Sequence, residues 1–257
     1  MVKFLMKSSD KGLLKKAEGI AKEFADKYKK EGIVGIVFLG AIARGYFDKN
    51  ADIDIIIFKS KSCKSVPTLN VGYKKVNEIE VDYSISEYES SLQKNWDMAE
   101  RWAFSTSKIY YDPKGMIKSL LEEKVPLKEE ERRNLMIDGI VQSEWYINDL
   151  SKTWVERGDL LCAFHQFGKG LSHFFNAIFS FNNELIPDYK WKLNIIKQMN
   201  ILPKNFNKKL EEVLLTKEIS EEEVERKRKA FMFLWKDFLP LVEKEVGLSF
   251  KNMEKLV

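Results

Sequence analysis

Hydrophobic positions over residues 11–30 recur at helical spacing. Leu13, Leu14, Ala17, Ile20, Ala21, Phe24 and Tyr28 form one stripe with lysines between them. Asp10 in front suits an N-cap and Gly32 behind suits a stop, so the pattern predicts an amphipathic helix. The period then changes. Ile33 to Leu39 is a β-branched apolar run ended by Gly40, which predicts a strand. Residues 40–51 read as a polar, glycine-bearing connection, and Asp52 to Phe58 as a second strand. Residues 59–70 hold Ser, Lys, Pro and Asn and predict a loop. Val71 to Val76 and Glu78 to Ile85 predict two further strands, residues 87–106 a helix, and Ile109 to Tyr111 a short edge strand. Asp112, Pro113 and Gly115 then mark a turn.

Beyond residue 125 the strand signals vanish. Leu135, Ile137, Ile140, Val141, Trp145, Ile147 and Leu150 suit one long helix, and Leu160 to Phe181 a second, very apolar and aromatic one. Pro187 breaks the pattern and shorter helices follow. Residues 219–245 predict a last long helix, opened by Glu221, Glu222 and Glu223, whose charges suit a helix N-terminus. The fold class expected is therefore α+β: a mixed-sheet domain at 1–124 followed by an all-helical bundle at 125–257. No internal repeat or low-complexity segment interrupts this layout.

Composition changes the picture only at the margins. A chain of 257 residues holds one large or two modest domains. With 44% hydrophobic and 32% charged residues it is ordinary for a soluble globular protein. The net charge of +4 argues against a dedicated nucleic-acid surface, though a small positive excess suits an anionic ligand such as a nucleotide. Two distant cysteines, Cys63 and Cys162, make neither a disulfide framework nor a zinc pair, which points to a reducing, cytoplasmic setting. Met1 to Asp10 lacks the apolar core of a signal peptide, and no run reaches the ~18 apolar residues of a membrane span. Ile53 to Phe58 is intensely apolar but short, as a buried strand would be.

The chemistry concentrates at Asp52-Ile53-Asp54. On a strand, residues i and i+2 share a face, so two carboxylates project side by side while Ile53, Ile55 and Ile57 turn to the core. Adjacent carboxylates repel unless something neutralises them. Mg²⁺, which favours carboxylate plus phosphate oxygens, is the natural counter-charge. Upstream, Gly40 ends a strand and is followed by Ala43-Arg44-Gly45; a glycine there lets backbone N–H groups approach phosphate oxygens. Arg44 would either pair with those phosphates or lock the loop. Downstream, Glu78, Glu80 and Asp82 alternate on one predicted strand, and one of them supplies a third carboxylate if that strand lies beside Asp52–Phe58. Such a set is the two-metal template for in-line phosphoryl or nucleotidyl displacement.

The stretch Leu39-Gly40-Ala41-Ile42-Ala43-Arg44-Gly45, with Ala51-Asp52-Ile53-Asp54-Ile55 after it, resembles the signature of the DNA polymerase β-like nucleotidyltransferases. Ten residues, 42–51, separate Ala41 from Asp52, which is that signature's spacing. The two-domain layout is similar to that of the kanamycin, streptomycin/spectinomycin and lincosamide nucleotidyltransferases. The segment Leu185 to Trp191 resembles a Pro-x-x-Lys-Trp stretch in their helical domains. The resemblance implies transfer of a nucleoside monophosphate, usually AMP from ATP, to a hydroxyl of a small molecule held between the two domains. It makes Asp52 and Asp54 ligands of a two-metal Mg²⁺ site. Asp82 becomes the third carboxylate, as metal ligand or as base for the acceptor hydroxyl. Gly40, Ala41, Arg44 and Lys190 become nucleotide contacts. Glu80 is the competing third carboxylate; Asp82 is preferred because it lies deeper in its strand. One departure is Ala41, where the family commonly has Ser. A lost hydrogen bond to a charged group costs roughly 1.5–3 kcal/mol, weakening nucleotide binding without abolishing it. It also keeps open a second class, a nucleotide-binding or regulatory module that has lost turnover and docks on a protein partner.

Other features read as structure. His165 and His173 lie eight apart, too far for an i, i+4 metal pair. The aromatic run Phe164, Phe167, Phe174, Phe175, Phe179 and Phe181 suits helix packing, and Glu225 to Lys229 a solvated helix face with i, i+4 pairing. Ser105, Ser107 and the cysteines have no recognisable base, which excludes a Ser or Cys nucleophile.

Overall fold

In the computed structural model, which describes residues 9–257, the lysine-flanked apolar stripe folds as helix α1 (Lys11–Asp26). The N-terminal reading of Met1 to Asp10 lies, over residues 1–8, outside the described residues. The Asp10 carboxylate accepts from the N–H groups of Gly12 at 2.7 Å and Leu13 at 3.0 Å, satisfying two of the donors that a helix start leaves without partners. The chain continues through β1 (Ile33–Phe38), α2 (Gly40–Arg44), β2 (Ile53–Lys59), β3 (Leu69–Val76) and β4 (Ile79–Glu87). Then come α3 (Tyr88–Gln93), α4 (Met98–Ser105), β5 (Lys108–Tyr111) and α5 (Met116–Lys124). The five strands form one mixed sheet in the order β3-β4-β2-β1-β5, with β2 and β4 parallel and the other pairs antiparallel.

Alternation along β2 assigns the two faces of this sheet. Ile53, Ile55 and Ile57, at most 1% exposed, point to the face that α1 covers. There Tyr83, the register partner of Ile55, meets Phe24 of α1 with ring centroids 4.9 Å apart. The opposite face changes character partway along. Ile56 and Phe58 pack with Val37, Trp96, Phe104, Ile117 and Leu120, so α3 to α5 close that half. Asp52 and Asp54, on the same face but nearer the start of the strand, lie beyond this cover.

Three local readings need correction. Residues 40–51 are not wholly irregular: Gly40–Arg44 is a helical turn. Glu78 is not on a strand; with Asn77 it forms the β3–β4 turn at positive φ (68° and 49°), so it does not share a face with Glu80 and Asp82. Residues 87–106 form two helices, because the chain turns out of α3 and restarts at Asp97, whose carboxylate caps Glu100 N–H at 2.8 Å.

The chain divides by its contacts into two compact units, Met1–Pro126 and Leu127–Val257. The second contains α6 (Glu129–Glu144), a π-helical stretch (Trp145–Leu150), α7 (Ser151–Glu156), α8 (Leu160–Phe181), α9 (Tyr189–Ile196), α10 (Phe206–Leu214), α11 (Glu221–Val246) and α12 (Phe250–Met253). The expected helix across 135–150 thus ends at Glu144 and continues as the π-helical segment. The aromatic run of α8 is core: Phe174 meets Phe231 and Phe238 of α11 edge-on at 5.3 and 5.8 Å. Glu221 to Glu223 occupy the first turn of α11 behind the Ser220 cap, as the dipole favours. No helix of the described residues is long and apolar enough to cross a membrane.

Candidate active site

The parallel register of β2 on β4 sets Asp54 opposite Asp82. Ile53 pairs with Val81, so one step back the same ladder brings Asp52 level with Glu80. All four acids lie on one face in two adjacent rows, Asp52 and Glu80 exposed, Asp54 and Asp82 half-buried. Adjacent strands lie roughly 4.7–4.9 Å apart, so carboxylates that share this face are close enough for their charges to interact. Burial first, and then the neighbouring charges of Asp52 and Glu80, push the Asp82 carboxyl up to about 6.

On the other side of Asp54 lies Gly40. The Leu39 N–H donates to the Asp54 carbonyl at 3.0 Å, which anchors the end of β1 to β2. The chain then turns through Gly40 at φ 57°, a left-handed conformation that L side chains rarely adopt. A Cβ on Gly40 would overlap the Asp54 Oδ2 and stand 2.9 Å from its Cγ. Glycine is thus required twice, for the backbone and for the carboxylate that rests against it. Replacing Gly40 with Ala is expected to displace the Asp54 carboxylate, lowering stability by about 1–2 kcal/mol. If the site is catalytic, turnover should fall by roughly tenfold, the equivalent of ~1.4 kcal/mol in the barrier. Thermal melts and initial rates on the one variant test both effects.

Helix α2 starts at Gly40, and its first N–H groups have no intrahelical acceptors. Ala41, in that first turn, is 4% exposed, so its methyl is packed. The helix ends at Gly45 (φ 78°), whose N–H returns to the Ala41 carbonyl. Two cations hold it in place. Lys108 donates to the Ile42 carbonyl at 3.0 Å. The Arg44 guanidinium lies 4.0 Å from the Trp102 ring centroid and donates through Nε to Thr106 Oγ1 at 3.2 Å. Of the two roles the sequence left to Arg44, these contacts are those of a loop lock. Trp102 and Thr106 went unnoticed in the sequence, where nothing marks an aromatic on a distant helix as an arginine's stacking partner.

Lys190 belongs to the second unit. It is exposed at the start of α9, and its backbone N–H donates to the Asp188 carboxylate at 3.1 Å. Its neighbour Lys192 is half-buried and donates from Nζ to Ser172 Oγ (3.1 Å) and Asn176 Oδ1 (3.0 Å).

Two observations bear on a cation among the acids. The Asp82 Oδ1 is buried and has no hydrogen-bond partner, which leaves an acceptor for a charged ligand. Among the described residues, however, no three acidic, histidine or cysteine side chains converge as a ready-made metal cage. The two agree for Mg²⁺, which is typically held by one or two carboxylates completed by phosphate oxygens and water. The Asp54–Asp82 pair, with Asp52 beside it, fits that donor chemistry.

No protein-family model matches the chain, and no curated protein matches it. A solved structure of a nucleotidyltransferase-like protein from Exiguobacterium sibiricum is similar to it, at 15% identity and a TM-score of 0.48, over 90% of this chain and 77% of that one.

Proposed function

We propose that the chain is a Mg²⁺-dependent nucleotidyltransferase that moves a nucleoside monophosphate, AMP from ATP, to a hydroxyl of a small-molecule acceptor. The observation that carries the reading is the row formed by Gly40, Asp54 and Asp82. It joins a carboxylate pair on adjacent strands to a glycine turn that opens a helix beside them. The signature resemblance of residues 39–55 adds to it.

In this reading Asp52, Asp54 and Asp82 hold the cation. When bound with the nucleotide, it draws charge from the phosphoryl group and the departing pyrophosphate. The chain's own residues do the rest. The N–H groups at the start of α2, at Gly40 and Ala41, face the triphosphate, and the positive end of the helical turn favours its charge. Arg44 keeps that turn rigid through Trp102 and Thr106 and adds a positive charge beside it. Asp82 accepts the acceptor's proton as the new oxygen–phosphorus bond forms and the bond to pyrophosphate breaks. No protein nucleophile is needed.

Pyrophosphate release from Mg²⁺-ATP, measured across a broad panel of hydroxylated small molecules, tests the proposal. An acceptor-dependent burst with an adenylylated product in the mass spectrum is expected. Nucleotide binding by calorimetry without pyrophosphate from any acceptor would favour a module that has lost turnover, as Ala41 suggests. A nucleic-acid acceptor would announce itself by steep salt dependence of binding.

A further inference from the structure

We infer that Tyr73 is the acceptor-side platform of this site and that the acceptor presents the face of a ring to it. The inference rests on the reading just proposed and deepens it from a hydroxyl to a hydroxylated ring. Tyr73 is the register partner of Asp82 across the β3–β4 hairpin. Cross-strand partners share a face, so Asp54, Asp82 and Tyr73 form one continuous row over three strands. Gly40 and the start of α2, where the triphosphate is placed, close the row at one end; Tyr73 closes it at the other. The group that takes the acceptor's proton stands between them.

The state of Tyr73 also asks for a ligand. It is 67% exposed, on the outermost strand of the sheet, and its side chain makes no hydrogen bond or ring contact among the described residues. Edge strands are usually kept from unwanted pairing by charge, and β3 has lysines for that at 74 and 75. An aromatic ring left open beside a carboxylate row does something else. Its face offers stacking to an aromatic ring or to the C–H face of a sugar, and a hydroxyl on the stacked ring reaches Asp82, one strand away. The next residue on this face, Lys75, is drawn aside by its ion pair with Glu78 at 2.7 Å and leaves the ring uncovered. The other side of the strand is filled. A Cβ on Gly72 would stand 2.6 Å from the Tyr83 ring, so β3 packs tightly there and Tyr73 is directed to the carboxylate face.

Saturation-transfer NMR on the full chain tests this without requiring turnover. The ring probes are phenyl β-D-glucopyranoside, uridine and myo-inositol; sorbitol is the open-chain polyol control. Tyr73→Phe keeps the ring, and Tyr73→Thr removes it while keeping a strand-forming residue. Wild type and Tyr73→Phe are expected to bind at least one ring probe, with Tyr73→Thr about tenfold weaker and sorbitol indifferent to the substitution. Equal ring-probe affinity in wild type and Tyr73→Thr overturns the inference, as does the absence of ring-probe binding to wild type. If the Tyr73 difference appears but no acceptor ever releases pyrophosphate, the transfer reaction falls and the stacking platform stands.

Discussion

Asp54→Ala is expected to lower nucleotidyl transfer by at least about 10³-fold, roughly 4 kcal/mol of barrier, while the protein remains folded. Asp54 is the hinge of the site. It pairs with Asp82 on β4, its carbonyl ties down Leu39, and its carboxylate rests against Gly40. Removing the carboxylate takes a negative charge from beside Asp82 but leaves the backbone ladder intact. Ile53 and Ile55, on either side of it, are fully buried against the other face and keep the strand in place. The loss also removes the attraction of Asp54 for Arg44, but a partly exposed charge contact costs the fold less than a core residue would. The expected pair of results is therefore a near-unchanged thermal melt and undetectable pyrophosphate release. Wild-type turnover in this variant would sink both the metal assignment and the transferase reading.

The signals that revealed this site were those of period and spacing. Ile53, Ile55 and Ile57 alternate so cleanly that the face of Asp52 and Asp54 follows from the sequence. What the alternation does not contain is where that face stops being covered. Ile56 and Phe58 belong to the same side as the acids, and only the positions of Trp96, Phe104 and Ile117 in space decide that one half is core and the other open. The start of β4 is hidden for a related reason. Glu78-Ile79-Glu80-Val81-Asp82 alternates without a break, but its first residue lies in a two-residue turn with no glycine to mark it. Once that turn is placed at Asn77 and Glu78, counting outward pairs Val76 with Ile79, Lys75 with Glu80 and Tyr73 with Asp82. The partner of Asp82 was thus present in the sequence, but hidden behind a turn whose residues, unlike Asn-Gly, are not a strong signal.

The second unit was legible where packing follows one helix and illegible where it depends on two. The aromatic stripe of Leu160–Phe181 and the acidic opening of Glu221–Val246 are local patterns and gave the right elements. The change from α to π winding at Trp145 is not local. Gly170 on α8 lets that segment come so close that a Cβ there would press on Ile147 and Tyr146. A residue 23 positions downstream of Ile147 (170 − 147) takes part in that packing, and no periodicity in 135–150 registers it.

Asp82→Asn is expected to separate activity from stability in opposite directions. The change keeps the size of the side chain and removes the charge that would take the acceptor's proton. Turnover should fall by at least ~100-fold, the low end for a general base, with a smaller change in nucleotide affinity. Stability should move the other way. The Asp82 carboxyl is raised from 3.8 to about 6 by burial and by Asp52 and Glu80, so folding favours its protonated form. A raised carboxyl contributes its stability at low pH and loses it as pH rises from about 4 through about 6. In chelator, the wild type should therefore lose stability across that window, and the asparagine variant should not show this component. At pH 8 the variant should be the more stable by about 1–2 kcal/mol, a figure reduced for partial exposure to solvent; at pH 4 the two should coincide. Urea unfolding at the two pH values measures the difference. Glu80→Gln is the control, since Glu80 lies one row away, level with Asp52, and should retain most of the turnover. A silent Glu80→Gln beside an active Asp82→Asn would mean that the acceptor's proton leaves from the Asp52 row, two residues back along both strands.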